Sequence, residues 1–227
     1  MISAKIICDS LSPQGHRITT FELVFPRFIL AELNTHRLFS KNSASSRAIP
    51  FNKMVKAVQD NPFIPIAWQK HHSGMQGTEY FDDETVIEIL RNQWTEGSKE
   101  AILRAKILYE SGLTKQLCNR LLEPFMYHKV LLTATEFDNF FDLRCPQYEH
   151  PNNPGIFYKS LKDFSKKHIT MGWLDYKYEQ RFKINKGQSE IHMMQLAECM
   201  YDAMNESVPK QLKPGEYHIP YLEIEED

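Results

Sequence analysis

Residues 35–47 have the sequence THRLFSKNSASSR, which holds a histidine, two arginines, a lysine, an asparagine and five hydroxyl side chains in thirteen positions. A polar run of this kind usually forms a solvated loop, because serine and asparagine side chains bond to the nearby backbone. Here the apolar residues 28–31 and Leu33 lead directly into the run. We therefore predict a helix over about residues 27–38, with Pro26 in its first turn, that carries the polar run to a fixed place.

Strand and helix patterns follow one another on both sides of this run. Residues 2–8 and 16–25 are β-branched and aromatic, and the Ser-Pro-Gln-Gly sequence between them predicts a hairpin. The methionines of the last amphipathic segment are expected in the core. The remaining predictions are a strand over 126–135, helices over 52–59, 83–109, 136–144 and 189–205, a short helix holding Cys118 and Arg120, and a long ordered loop over 61–80.

The composition is that of one globular domain spanning all 227 residues, with 42% hydrophobic and 25% charged residues. A formal net charge of −2 excludes a generally basic, nucleic-acid-binding surface, so an anionic ligand must meet a local basic pocket. The four cysteines are scattered without a C-x-x-C pair, which favours a reducing cytoplasm over a disulfide framework or a zinc site. We expect no membrane span and no signal peptide.

Several familiar chemistries have no signature in this sequence. There is no G-x-G-x-x-G or Walker loop among only nine glycines, and no H-E-x-x-H or G-x-S-x-G motif. His71 and His72 are adjacent but have no carboxylate at ligand spacing, so we expect no metal site. What remains is a set of arginines in polar contexts, whose planar forks suit phosphate oxygens and pyrimidine carbonyls: Arg37, Arg47, Arg120 and Arg144.

Four segments in order resemble the flavin-dependent thymidylate synthase family, whose signature is R-H-R followed by seven residues and a serine. Here Thr35-His36-Arg37 is followed by LFSKNSA, then Ser45, with Arg47 two residues further on. The other three segments are Arg120 to Pro124, Asn139 to Arg144 (NFFDLR) and Gln188 to Ile191 (QSEI).

The resemblance implies an α+β fold with an antiparallel or mixed sheet and packed helices, in a homotetramer with active sites at subunit interfaces. It implies reductive C5 methylation of dUMP to dTMP, with FAD bound and with methylenetetrahydrofolate and NADPH as co-substrates. By family position, His36, Arg37 and Asn139 would contact the flavin. The nucleotide would be held by Glu32, Ser43, Ser45, Arg47 and Arg120. Arg144 would bond the pyrimidine edge and stabilise charge developing on the ring.

The sequence also departs from the family pattern. Thr35 replaces a flavin-binding arginine, Glu32 a glutamine and Ser43 a glutamate, while Thr133 and Thr135 stand where an asparagine and an arginine are usual. An insertion at about 145–187 separates two motifs that the family keeps close, and we expect it to cover the active site or a subunit junction.

Three alternatives stay open. The first is flavin-dependent C5 modification, by hydroxymethylation or methylation, of another pyrimidine nucleotide. The second uses Cys145 as a thiol nucleophile. The third is a non-catalytic nucleotide-binding relative.

Overall fold

A five-stranded sheet lies at the centre of the protein, whose computed structural model describes residues 1–74, 77, 79–150, 153–167 and 189–221. The strand order is β3-β4-β2-β1-β7, and β5 and β6 form a separate pair. The paired strands are antiparallel except that β7 runs parallel to β1. In the described residues the strands are β1 (Ser3–Leu11), β2 (Arg17–Pro26), β3 (Ser40–Ser43), β4 (Tyr127–Ala134), β5 (Tyr148–Glu149), β6 (Phe157–Tyr158) and β7 (Lys210–Gln211).

Helices cover one face of this sheet and extend beyond it. They are α1 (Leu30–Asn34), α2 (Phe51–Asp60), α3 (Glu84–Glu110), α4 (Lys115–Cys118), α5 (Asp138–Arg144), α6 (Leu161–Lys167) and α7 (Ile191–Glu206), with 3-10 turns at Arg27–Ile29 and Asn119–Phe125. The α+β class implied by the sequence is confirmed. Across the described residues, none of the helices has the length and apolarity that crossing a membrane requires.

The main core lies between the sheet and α7. The predicted hairpin is confirmed: β1 and β2 pair in antiparallel register, and Gly15 takes a positive φ of +87° in their connection. On β2 the alternate residues Phe21, Leu23 and Phe25 are fully buried, each contributing about 1.5–3 kcal/mol of transfer free energy. Against them pack the apolar residues of α7, as predicted for this stripe: Met193, Leu196, Ala197 and Met200.

A second core cluster joins the remaining helices. The long helix α3 is capped by Asp83, whose carboxylate accepts the N–H groups of Thr85 and Val86 at 2.8 and 3.2 Å. It packs with α2, α4 and the 3-10 turn at 119–125 around the buried residues Met54, Val58, Ala105, Cys118 and Leu122. This unit supports the loop that follows the polar run.

The predicted helix over residues 27–38 is wrong in length, because helical geometry ends at Asn34. Pro26 is the last residue of β2 rather than part of a first helical turn. At the other end the Thr35 hydroxyl donates to the carbonyl of Glu32 at 2.7 Å. Lys41 Nζ also donates to the carbonyl of Leu33 at 3.2 Å, which satisfies an acceptor that further helix would have used.

Part of the polar run is a strand and not a loop. Ser40–Ser43 form β3, which pairs antiparallel with β4 from Val130 to Thr133. β4 supplies backbone hydrogen-bond partners to residues 40–43 at the edge of the sheet. A tertiary contact therefore decides the conformation of these residues. Residues 44–50 then lead into α2.

The first part of the predicted insertion at about 145–187 packs into the fold. Tyr148 is fully buried, and Phe164 is 2% exposed. Glu198 of α7 accepts hydrogen bonds from the Tyr148 hydroxyl at 3.3 Å and from the Leu161 N–H at 2.8 Å. The aromatic and basic composition of this segment indicates a surface excursion rather than core, and this interpretation is wrong for Cys145, Tyr148 and Phe164. Residues 168–188, on which much of the expected coverage of the active site depends, lie outside the described residues.

Candidate functional site

The residues that follow α1 face α5 across a cleft of about 330 Å³, which we call the Arg144 cleft. Apolar side chains form much of its wall, and polar groups stand among them. It is lined by Thr35, His36, Arg37, Leu38, Phe39, Glu136, Asn139, Phe140, Leu143 and Arg144. His36, Arg37 and Asn139, which are predicted to contact the flavin, thus line the same cleft as Arg144. Arg144 is the residue predicted to bond the pyrimidine.

Arg144, the last residue of α5, is held by two neutral groups. Its Nε donates to His36 Nε2 at 3.0 Å, and its Nη1 donates to Ser189 Oγ at 3.3 Å. No carboxylate among the described residues lies within ion-pair distance of its guanidinium. The positive charge of Arg144 is therefore available to a ligand.

The ring of His36 is fixed by aromatic neighbours. It stacks on Phe39 with centroids 5.8 Å apart and meets the edge of Phe140 at 4.8 Å. Burial, and then the charges of Arg144 and Lys41, hold the pKa of His36 below its usual value. Because Nε2 accepts a hydrogen bond from a guanidinium, the neutral ring carries its proton on Nδ1.

The carboxyl group of Glu32 interacts electrostatically with both Arg144 and Glu190. Glu32 Oε2 is buried and has no hydrogen-bond partner in the described part of the chain. Burial, and then the charge of Glu190, raise the pKa of Glu32, while Arg144 acts in the opposite direction. Glu190 itself caps α7 by accepting the N–H of His192 at 2.8 Å. Glu32 Oε2 is thus a carboxyl oxygen near Arg144 that can still accept a hydrogen bond.

His192 connects the start of α7 to the long loop at 61–80. Its Nδ1 lies 2.5 Å from Glu190 Oε1, and its Nε2 accepts the N–H of Ile66 at 3.2 Å. The ring therefore donates from Nδ1 and accepts at Nε2. This pair of bonds fixes the helix start that presents Ser189 to Arg144.

A second opening of about 450 Å³, the Arg120 cleft, lies along α1 and the 3-10 turn at 119–125. Arg120 is exposed at its margin. Arg27, a second cation of the cleft, donates to His128 Nε2 at 2.8 Å and lies 3.9 Å from Glu123. Its lining is Arg27, Phe28, Leu30, Ala31, Asn34, Arg120, Glu123 and Pro124. Segment 27–39 therefore contributes to both clefts.

Asn119 links the chain segments that carry Arg47 and Arg120, two of the predicted nucleotide-binding residues. Its Nδ2 donates to the carbonyls of Ser46 at 2.9 Å and Ile49 at 3.2 Å. Arg47 follows Ser46 in the chain and Arg120 follows Asn119, so both arginines flank this contact. Both side chains are exposed, and neither forms an ion pair with any residue that the structure describes.

The predicted site residues therefore fall into two groups. His36, Arg37, Asn139 and Arg144 line the Arg144 cleft. The predicted nucleotide-binding residues Glu32, Ser43, Ser45, Arg47 and Arg120 do not line it. Ser45 has a local role, because its hydroxyl accepts the N–H of Arg47 at 3.2 Å in a turn.

Two of the departures from the family pattern have structural partners. Thr35 closes α1 through its bond to Glu32. Thr133 lies 2.7 Å from the hydroxyl of Thr20, which in turn lies 2.8 Å from His218 Nε2. These hydroxyls therefore serve the fold where the family pattern has flavin-binding side chains.

Sequence reasoning missed the contributions of Ser189 and Lys41. Ser189 lies in the QSEI segment, whose resemblance to a family motif was the signal that could have identified it. Lys41 lies within the polar run and donates to the carbonyl of His36 at 3.0 Å. Both act by fixing the residues that line the Arg144 cleft.

Cys145 occupies a core position. It is 1% exposed, and burial, followed by the charge of Glu198, raises the pKa of its thiol well above the usual value. A protonated, buried thiol is a poor nucleophile, so the geometry disfavours the cysteine alternative. Among the described residues, no three His, Cys, Asp or Glu side chains are grouped to hold a metal ion.

Comparison with known proteins gives structural neighbours only. No protein-family model matches the chain, and no curated protein sequence matches it. It is similar in structure to the UMP/dUMP methylase PolB from Streptomyces cacaoi bound with 5-Br UMP, with 16% identity, a TM-score of 0.59, and coverage of 91% of this chain and 89% of that chain. For the same methylase bound with 5-Br dUMP the identity is 14%, the TM-score 0.61 and the coverage 91% of each chain. This protein therefore shares the fold of that methylase over most of its length.

Proposed function

We propose that this protein is an enzyme that modifies C5 of a uridine-class nucleoside monophosphate, by reductive methylation of dUMP to dTMP or of a close relative of dUMP. One observation carries the proposal. His36, Arg37, Asn139 and Arg144, which the sequence motifs single out from distant segments, line one cleft. The fold that brings them together is shared with a UMP/dUMP methylase.

Arg144 is the residue that we assign to the chemistry. Its guanidinium is held by neutral acceptors and has N–H groups left over, which suits a pyrimidine carbonyl oxygen. C5 can attack an electrophile only after electron density has built up on the ring and its carbonyl oxygens, and the C5 proton leaves after the new carbon–carbon bond has formed. A fixed cation beside the carbonyl stabilises the stage at which that negative charge is greatest.

Arg47 and Arg120 are assigned to the phosphate. Both are exposed, and both flank the Asn119 contact. Each could therefore donate to phosphate oxygens, and a charge-assisted bond of this kind contributes about 1.5–3 kcal/mol.

We further propose a homotetramer with active sites at subunit interfaces. The Arg144 cleft and the Arg120 cleft are separate openings that share segment 27–39. Assembly that places the Arg120 cleft of one subunit opposite the Arg144 cleft of another would bring the phosphate and pyrimidine subsites together. Sedimentation or light scattering measures the subunit number directly.

The lining of the Arg144 cleft fits FAD in its chemistry. Leu38, Phe140 and Leu143 offer apolar contact for a flat ring system, while Arg37 and Asn139 offer donors to its polar groups or its diphosphate. When bound, FAD would pass reducing equivalents from NADPH to the one-carbon unit that methylenetetrahydrofolate supplies. The residues of the chain would orient the pyrimidine and exclude water.

The function is tested by release of tritium from C5-labelled dUMP and UMP with FAD, NADPH and methylenetetrahydrofolate. We expect release with at least one of the two, and a product heavier by a methyl group in mass spectrometry. Purified protein should be yellow or become so with FAD. A colourless protein that cannot be reconstituted, yet binds 5-bromo-dUMP, would instead support the non-catalytic relative.

A second candidate is modification of another pyrimidine nucleotide, and Glu32 favours it. Glu32 does not line the Arg144 cleft, but it interacts electrostatically with Arg144, and its Oε2 has no partner within the described residues. If nucleotide binding exposes this oxygen, it could accept from an exocyclic amine, which cytosine has and uracil lacks. The same assay with labelled CMP and dCMP decides. A product heavier by a hydroxymethyl group would identify hydroxymethylation.

A further inference from the structure

We propose that His36 is the positioning residue of Arg144: its Nε2 accepts the Nε–H of Arg144, and with Ser189 it fixes the plane of the guanidinium that meets the pyrimidine. The inference rests on the proposed function and adds to it the way in which the arginine is held. It concerns a contact between residues 108 positions apart. The local sequence around either residue does not predict this contact.

The contact has the geometry of a genuine hydrogen bond between two restrained groups. The distance from Arg144 Nε to His36 Nε2 is 3.0 Å. The imidazole is held between Phe39 and Phe140, and Lys41 holds the backbone carbonyl of His36. The imidazole of His36 is therefore held in place independently of Arg144, as is required of a residue that positions the guanidinium.

The choice of partners keeps the arginine reactive. A carboxylate would hold Arg144 more strongly but would offset much of its positive charge. An imidazole and a hydroxyl orient the guanidinium and leave its charge to the ligand. They take two of its five N–H bonds, so three remain for a ligand in the cleft.

The charges around His36 keep it an acceptor. Arg144 from α5 and Lys41 from β3 both oppose its protonation, and Arg37 and Glu136 line the same cleft. The pKa of His36 is lowered, so the neutral form persists to a pH below the usual value of about 6.5. Protonation at lower pH would put a proton on Nε2, end the bond and set two cations against each other.

Two substitutions separate positioning from packing. His36→Phe keeps an aromatic ring between Phe39 and Phe140 but removes the acceptor. His36→Gln removes the ring but places an amide oxygen near the position of Nε2. If His36 positions Arg144, the phenylalanine variant should lose about 10- to 100-fold in kcat with a smaller change in KM. The glutamine variant should recover most of that loss.

The acid side of the pH profile gives a second readout. In the parent protein kcat should hold through the usual histidine pKa of about 6.5 and fall only at lower pH, where His36 with its lowered pKa becomes protonated. In the His36→Gln variant this fall should be absent. FAD content is measured for each variant so that loss of flavin is not mistaken for loss of positioning. A phenylalanine variant that outperforms the glutamine variant at equal FAD content would overturn the proposal.

A measurement of thermal unfolding tests the contact even if the proposed function fails. His36→Phe and His36→Gln are each compared in the parent and in an Arg144→Met background. In each background, the unfolding midpoint of His36→Phe is subtracted from that of His36→Gln. With Arg144 present, this difference should be about 2–4 °C more positive than in the Arg144→Met background. An equal difference in both backgrounds would refute the contact. If the parent neither binds nor converts UMP or dUMP, the proposed function fails, but this comparison still decides the role of His36.

Discussion

At the scale of single residues, Arg144 combines a fixed orientation with a positive charge that forms no ion pair with a described residue. Its charge and its planar fork can be separated, because lysine keeps the charge but loses the fork. We expect Arg144→Lys to reduce turnover of the preferred nucleotide by about 100-fold or more while FAD content and nucleotide affinity change little. Rapid-quench measurement of a single turnover gives the rate of the chemical step.

The competing role for Arg144 is a helix C-terminal cation. Removing such a charge costs only about 0.3–1 kcal/mol of stability and leaves the rate unchanged. Arg104→Lys is a matched control, because Arg104 is an exposed helical arginine that pairs with Glu100 at 3.4 Å. An Arg144→Lys protein with the parental rate would remove Arg144 from the chemistry.

Arg47 and Arg120 belong to the same scale but should affect binding rather than turnover. We expect Arg47→Ala to weaken binding of dUMP or UMP by about 10- to 100-fold, because one charge-assisted phosphate contact is lost. Arg120→Ala should have a similar effect, and both should leave the FAD content nearly intact. Calorimetric titration measures the affinity, with Arg104→Ala as control. Unchanged nucleotide affinity would exclude the substituted arginine from the phosphate site.

At the scale of secondary-structure elements, a hydrogen bond links β4 to the start of segment 27–39. His128 of β4 must be neutral to accept this bond. His128 is 4% exposed and accepts from Arg27. Burial, and then the charge of Arg27, lower the pKa of His128 to about 4. The bond therefore joins the central sheet to the segment that lines both clefts.

This pKa predicts a loss of stability in acid. The unfolded chain binds a proton near pH 6.5, and the folded chain only near pH 4, so the contribution of neutral His128 is complete above pH 6.5 and falls as the pH drops toward 4. We expect the thermal midpoint to fall by about 5–10 °C over this range. His128→Gln keeps an acceptor for Arg27 but does not titrate, so its midpoint should depend less on pH. A smaller slope should remain from His36 and His218, whose pKa values are also lowered. If the thermal midpoint of His128→Gln depends on pH as steeply as that of the parent protein, His128 is not the source of the acid destabilisation.

At the scale of the whole molecule, the insertion at about 145–187 connects the core to the neighbourhood of the site. Its beginning is anchored by Tyr148 and Phe164, and its end leads to Ser189, a partner of Arg144. A ligand that binds Arg144 should therefore stabilise the segment that leads to Ser189. We expect limited proteolysis within residues 168–188 to slow when FAD and dUMP are added together.

Mass spectrometry of the fragments locates the cleavage sites. Cleavage within residues 84–110 serves as the internal control, since α3 does not line the Arg144 cleft. Equally rapid cleavage of residues 168–188 with and without ligands would show that the insertion is not coupled to the site.

Local patterns determined much of this protein. Strand-like runs, β-branched and aromatic in the first two, identified β1, β2 and β4, and apolar residues at helical spacing identified α3 and α7 to within a few residues. These predictions succeed because each element places its own apolar residues on one face, whatever it packs against. The order of motifs likewise pointed to His36, Arg37, Asn139 and Arg144 before any contact among them was known.

Only the tertiary structure decided how these elements and residues meet. Helical geometry after Pro26 ends at Asn34, and Ser40–Ser43 become a strand, because β4 offers an edge to pair with. Cys145 and Tyr148 are buried because α7 lies over them, although their segment has the composition of a surface excursion. The bond between His36 and Arg144 joins residues 108 positions apart. A sequence pattern encodes which face of an element is apolar, whereas the partner of a polar side chain depends on which elements the folded core brings into contact.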